Sequence, residues 1–275
     1  MNYDINELVR LAKEGDRDAL ESLVKSIQDR IYRFALKMMY QTSDAEDATQ
    51  EILIKIITKL DSFREESSFS TWAFTIASNH LKNKRQNQKE RWYTFKRCEE
   101  AILKEIPDLS TLNHSDAEQN LVVEEMRISC MHALLQCLDR DHRLVYVLGT
   151  AMGVSGPEGA AILDITPAAF RKRLSRSRES LRKFLLSHCD LFNQKNSCNC
   201  KSQAISAINR GILNPKNLRF AGRPVSKELV PDVEEHLKSL DHMAREVALM
   251  KINQDYKAPE LFVQGIKQIL EAGLN

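Results

Sequence analysis

Three groups of side chains hold the recognisable chemistry of this chain. Asp44, Asp47 and Glu51, spaced by three and then four residues, fall on one outer face of a helix with Gln50 beside them. Such a ridge suits docking on a basic protein surface, although a solvated charged face is the other reading of any helix of this kind. A second group, Asn79, Lys82, Asn83, Arg85, Gln86 and Lys89, projects from a following helix. Amides beside cations suit contacts to phosphates and base edges, while cations near a helix C-terminus also complement its dipole. The third group, Arg171, Lys172, Arg173, Ser175 and Arg176, lies on a basic helix near residue 175. Between the first two groups runs a loop with Phe63, Ser67, Phe69, Ser70, Thr71 and Trp72. Its aromatics fit either a core or a stacking platform for single-stranded bases, worth roughly 1–3 kcal/mol per base. No Gly-rich phosphate loop is present, and no Cys stands in a recognisable pairing with a His, so no catalytic residue and no enzymatic activity are expected.

The elements that must position these groups read as helices throughout. Ile5, Leu8, Val9 and Ala12 give a short first helix stopping at Gly15, and Asp16 can cap a second that runs to Met39. Ser43 with Glu46 reads as a capping box opening the third, whose inner face is Ala45, Ala48, Ile52, Leu53, Ile56, Ile57 and Leu60. Ser70 and Thr71 offer a start for a fourth at Trp72. From Asn87 to about Ala117 the periodicity breaks down, and Pro107 to Thr111 mark irregular chain. A stripe from Val122 through Cys130 to Leu138 restores the helix. Ser155 and Pro157 then open one short helix, and Thr166 and Pro167 open the basic one. Two helices joined by Asp164, Ile165 and Thr166, the second basic, make a helix-turn-helix whose second member suits the major groove.

Composition agrees with an all-α fold, since 9 Gly and 7 Pro in 275 residues are too few for a turn-rich sheet protein. A net charge of +2 means that any affinity for nucleic acid comes from local clusters. No run reaches the roughly 20 apolar residues of a membrane span, and no signal peptide opens the chain, so a cytoplasmic protein without a membrane partner is expected. The six cysteines are then read as reduced thiols. His188, Cys189, Cys198 and Cys200 are the candidates for a soft metal. Closed zinc sites typically separate paired cysteines by two to four residues, which these do not, so neither a metal nor another cofactor is expected.

The run DAEDATQEILIKIITKLDSFREESSFSTWAFTIASNHLKNKRQ resembles the second conserved region of bacterial RNA polymerase sigma factors, in particular the extracytoplasmic-function group. Leu138 to Leu185, with RKRLSRSRESLRKFL, resembles the fourth region of the same group, and CNCKSQAISAINRGILNPKNLRFAG and DYKAPELFVQGIKQIL resemble a C-terminal extension of some members. The resemblance implies region two over 1–90, a linker over 91–120, region four over 121–187 and a small helical extension over 188–275, with a regulatory role open. It implies that Asp44, Asp47, Gln50 and Glu51 dock on the β′ clamp of core RNA polymerase, whose β subunit is also engaged. Phe63, Ser67, Phe69, Ser70, Thr71, Trp72, Asn79, Lys82 and Arg85 would face the minus-ten promoter element and its melted non-template strand. Thr166, Arg171, Lys172, Arg173, Ser175 and Arg176 would face duplex at the minus-thirty-five element. The expected function is promoter selection and opening for transcription initiation. A stand-alone helix-turn-helix regulator and a sigma-like sensor gated by its extension are the alternatives, and an anti-sigma partner is left open. Two departures stand out. Gly159 replaces a large aliphatic residue, which predicts a loosely packed helix, and Asp164 replaces the usual turn glycine.

Overall fold

The pattern of aliphatic residues makes α2 the centre of the first bundle. In the computed structural model, which describes residues 4–84, 88–103, 116–221, 237, 239–251 and 257–259, α1 (Ile5–Lys13), α2 (Arg17–Met39), α3 (Thr42–Thr58) and α4 (Phe69–Asn83) pack around Ile27, Ile31, Phe34 and Ala35. Asp16 caps α2 by accepting from the Ala19 N–H at 2.9 Å, after Gly15 turns the chain at φ 93°. The other two starts differ from expectation. Helix α3 begins at Thr42 behind Gln41, with no side-chain cap, and Glu46 instead approaches the Tyr32 hydroxyl at 3.3 Å. Helix α4 begins three residues early, at Phe69, because Ser68 accepts from the Thr71 N–H at 3.1 Å.

The segment expected to be irregular contains two helices, α5 (Gln88–Trp92) and α6 (Phe95–Leu103). Phe95, Cys98 and Ile102 do recur at helical spacing, but the charges at Lys96, Arg97, Glu99 and Glu100 hide so short a stripe. Pro107 to Thr111 lie outside the described residues.

Helix α7 (Asp116–Gln136) leads into α8 (Arg140–Tyr146), which continues through a π turn at Val147–Ala151. The helix-turn-helix is α9 (Gly156–Ile162) and α10 (Pro167–His188), capped by Ser155 and Thr166 as expected. Asp164 takes the left-handed turn at φ 50°, a conformation that Asp tolerates better than most side chains. The expectation of loose packing at Gly159 is overturned. A Cβ there would stand 2.4 Å from the Phe170 ring, which is fully buried, so the phenyl group occupies the space that an aliphatic side chain would fill.

Helices α11 (Cys200–Asn209) and α12 (His242–Lys251) belong to the extension. The extension shares the core. The Glu125 carboxylate accepts from the N–H groups of Arg219, Phe220 and Ala221 at 3.0, 2.7 and 2.8 Å, and the buried Phe220 ring lies 4.8 Å from His132. Tyr146 donates to Glu246 at 2.8 Å, Lys37 donates to the Met250 carbonyl at 2.9 Å, and the Ala258 N–H reaches Asp29 at 2.8 Å.

One buried cation joins the halves. Arg143 donates to the carbonyls of Met38 (2.7 Å), Leu135 (2.9 Å), Gln136 (3.1 Å) and Leu138 (2.9 Å), and pairs with Glu90 at 2.9 Å. Glu90 also holds Arg140 at 2.8 Å. Burial pushes the Glu90 carboxyl up, but the two guanidinium groups outweigh it and hold its pKa below the ordinary value.

Gly159→Leu is therefore expected to destabilise the fold by about 1–3 kcal/mol through overpacking against Phe170. Thermal denaturation checks this, and a rise in Tm would show that the site is loose after all. Acidification supplies a second test. Burial first, with the nearby Lys37 charge, lowers His132 to about 3. The unfolded chain takes up this proton near pH 6.5, so the stability is full above that value and declines as pH falls through the window from 6.5 to about 3, at roughly 1.4 kcal/mol per unit. The urea midpoint should fall between pH 7 and 5, and His132→Gln should flatten that slope.

Candidate nucleic-acid and docking interface

Helix α3 turns Ala45, Ala48, Ile52 and Leu53 inward, which leaves Asp47, Gln50 and Glu51 exposed and Asp44 half-buried. The ridge is divided by its neighbours. Glu51 leans toward α4, 3.2 Å from His80 Nε2 and 3.5 Å from Lys84, whereas Asp47 and Gln50 face solvent. His80 Nδ1 lies 2.7 Å from Lys55 Nζ. Burial, followed by the Lys55 charge, lowers the His80 pKa, so near neutral pH its ring accepts from Lys55.

The residues expected to face the minus-ten element fall into two sets. Ser67, Asn79 and Lys82 are exposed, Ser70 accepts from Arg30 at 2.8 Å, and Trp72 is half-buried. Phe63 and Phe69 are corrected as stacking residues: each is 3% exposed, and the two rings pack with Trp72 at centroid distances of 5.3 to 5.9 Å. The 3₁₀ turn at Leu60–Ser62 directs Phe63 inward, and the early start of α4 places Phe69 on its inner face. Arg85 lies outside the described residues.

On α10, Arg171, Lys172, Ser175 and Arg176 form an exposed polar and basic stripe, and Thr166 is exposed at the cap. Arg173 is half-buried. Phe170, Ser177 and Leu181 hold the opposite face on α8 and α9.

The structure also brings the two basic faces to a shared boundary, which the sequence did not signal. Helices α8 and α9 lie against α4. Asp141 pairs with Lys82 at 2.9 Å and stands 3.9 Å from Arg173, so one carboxylate touches a cation from each face. Thr71 donates to Glu158 at 3.0 Å, and Arg140 donates to the Lys82 carbonyl at 3.0 Å and to that of Lys84. The only local sign was that Asp141 and Glu158 sit in the first turns of α8 and α9, where acids favour the helix dipole on their own account.

The candidate metal residues His188, Cys189, Cys198 and Cys200 all line one cavity, in which the His188 ring packs on Phe184 at 4.6 Å with its Nε2 3.8 Å from Glu99; no group of three or more Cys, His, Asp or Glu among the described residues is placed to hold a metal ion. The chemistry on offer at the basic faces is noncovalent: cations for phosphates, and hydroxyl and amide groups for base edges. Asp141→Asn combined with Glu158→Gln is expected to tighten binding to DNA by about 2- to 10-fold at low salt, since each exposed pair is worth up to about 1 kcal/mol. Fluorescence anisotropy checks this; weaker binding would mean that the carboxylates orient the cations and do not compete for them.

Comparison with known proteins gives a consistent result. Residues 23–91 match the sigma-70 region 2 family. The RNA polymerase sigma factor SigW of Bacillus subtilis is 29% identical over 187 residues, covering 67% of this chain and 98% of that protein. The sigma-E factor of Escherichia coli is 29% identical over 174 residues, 63% of this chain and 90% of its own. The solved structure of CnrH in complex with the cytosolic domain of CnrY matches at a TM-score of 0.48 and 23% identity, over 67% of this chain and 99% of that one. Acidic helix α3, the loop before α4 and the basic end of α4 all fall within the residues that match sigma-70 region 2, and the chain as a whole is similar to extracytoplasmic-function sigma factors.

Proposed function

We propose that this protein directs core RNA polymerase to promoters and opens the DNA for transcription initiation. The observation that carries the reading is the adjacency, within residues 23–91, of an exposed acidic ridge and a polar, cationic helix on one rigid bundle. Asp47 and Gln50 are the centre of the polymerase dock, with Asp44 and Glu51 at its margins. Ser67, Ser70, Thr71, Trp72, Asn79, Lys82 and Arg85 contact the minus-ten element, and Thr166, Arg171, Lys172, Arg173, Ser175 and Arg176 the minus-thirty-five element. No described helix is long and apolar enough to cross a membrane, and the place of action is the cytoplasm, where the polymerase works.

A second reading concerns regulation. CnrH was solved with CnrY, and a protein partner of that kind is one route to control of this chain. The other is internal, because α12 and the residues after it contact α2 through Lys37 and Asp29, the end of α8 through Tyr146, and α10 through Arg182. An extension joined to both modules in this way favours their closed arrangement.

Asp47→Lys is expected to weaken binding to purified core polymerase by at least about 10-fold, the change that one lost charge pair and one new repulsion produce at an interface. Circular dichroism should be unchanged, since the side chain is exposed. Run-off transcription with core polymerase across a library of upstream sequences tests the function itself; a folded protein that starts no transcript on any template would exclude it.

A further inference from the structure

Two thiols touch where the connecting segment meets the second module. Cys98 stands on α6, and Cys137 follows the last turn of α7. Their sulfurs are 3.5 Å apart although the residues lie 39 positions apart in the chain, and either thiol can donate to the other. Both sides of the contact are held. The start of α6 is fixed by the Thr94 hydroxyl, which accepts from the Arg97 N–H at 3.2 Å, and by Phe95, whose ring lies 5.5 Å from that of Phe184 on α10. On the other side the Cys137 N–H donates to the Leu134 carbonyl at 3.1 Å, and Arg143 holds the carbonyls of its neighbours Gln136 and Leu138. Neither sulfur is sealed in. Both side chains are half-buried; Cys98 lines a cavity with Trp92, Tyr93 and Cys130, and Cys137 lines another with Phe95, Asp139 and His142.

We propose that Cys98 and Cys137 are an oxidisable pair, which a hydroperoxide converts to a disulfide that fastens α6 to the end of α7. In the first step the Cys98 thiolate attacks the outer oxygen of the hydroperoxide. The O–O bond breaks, Cys98 becomes a sulfenic acid, and the departing alkoxide or hydroxide takes up the proton that Cys98 gave away. In the second step the Cys137 sulfur attacks the sulfenic sulfur, the S–O bond breaks, and the departing hydroxide leaves as water with the Cys137 proton. Two thiols and one hydroperoxide thus yield one disulfide, one alcohol or water and one further water, with two electrons passing from sulfur to oxygen. The sulfurs close from 3.5 Å to the disulfide length of about 2.0 Å, a movement within reach of rotation about the side-chain bonds.

The order of attack follows from the contact. A hydrogen bond from Cys137 holds the Cys98 pKa below the usual thiol value in spite of burial, whereas the same contact, together with burial, raises Cys137. Cys98 is therefore the attacking sulfur and Cys137 the resolving one. Cys130, Cys189 and Cys198 are each raised, by burial first, which makes them poor competitors for the oxidant. In a reducing compartment such a bond is a transient state that lasts while the oxidant does.

The test uses the full chain, purified reduced and treated with hydrogen peroxide. A thiol reagent should count six thiols less the two joined, that is four, and the chain should run singly on a denaturing gel without reductant. In the Cys130→Ser chain Cys137 is the one cysteine of residues 128–140, and peptide mapping should recover that stretch joined to Cys98. Oxidation should raise Tm by about 5–15 °C, as closure of a loop of this length predicts, and a dithiol reductant should reverse the rise. Cys98→Ser should abolish both changes. In Cys137→Ser a sulfenic acid should accumulate at Cys98 and react with dimedone. Should these variants fail to fold, fragmentation of the joined peptides from the unaltered chain decides the pairing. Retention of all six thiols, a bond from Cys98 to Cys130 or to any other cysteine, a bond between two chains, or an unchanged Tm once the bond has formed would each overturn the proposal.

Discussion

A guanidinium group taken out of water sets the terms for this molecule. Arg143 is 1% exposed, and it donates to four backbone carbonyls, the Gln136 side-chain oxygen and the Glu90 carboxylate. A buried charge is tolerable only when each polar atom finds a partner, and removal of one partner typically costs about 3–5 kcal/mol. The partners come from the C-termini of α2 and α7 and from α5, so the end of the first bundle, the connecting segment and the start of the second module are positioned by one side chain. The carbonyls at those helix ends, which would otherwise need water, are satisfied by the same group.

Around that anchor the contacts differ greatly in strength. The joint at α4 consists of exposed or half-buried pairs: Thr71 with Glu158, Lys82 with Asp141, Arg173 near Asp141. Pairs of this kind contribute little each and weaken with salt. The joint at α2, α7 and α12 consists of buried groups, including Lys37 on the Met250 carbonyl and Tyr146 on Glu246. A polyanion could displace the first set one pair at a time, but the second set yields only as a unit. The two basic faces therefore sit at the soft joint and the extension at the hard one.

Much of the local structure was legible. Asp16, Ser155 and Thr166 are caps because a short oxygen-bearing side chain precedes a helical stripe, and each bonds where the pattern placed it. The stripe Arg171, Lys172, Ser175 and Arg176 follows from the 3.6-residue period. What escaped depends on partners remote in sequence. Nothing beside Gly159 announces that Phe170 fills its space, and nothing in the loop announces that Phe63 and Phe69 turn inward. Asp141 and Glu158 look like ordinary first-turn acids until α4 is laid against them. Cys130 reads as one more member of an apolar stripe until the chain returns after α10.

The bonds that close the extension carry a consequence for timing. Lys37 meets the Met250 carbonyl across 213 residues, and Asp29 meets Ala258 across 229. On the ribosome, where N-terminal segments generally fold first, the four-helix bundle emerges long before either partner exists. Until then Lys37 has no Met250 carbonyl to meet and Glu125 has none of its three backbone donors. The newborn protein thus passes through a stage in which the acidic α3 and the basic α4 are formed while the clasp over the bundle is still unmade, and the interval between the two is set by translation speed.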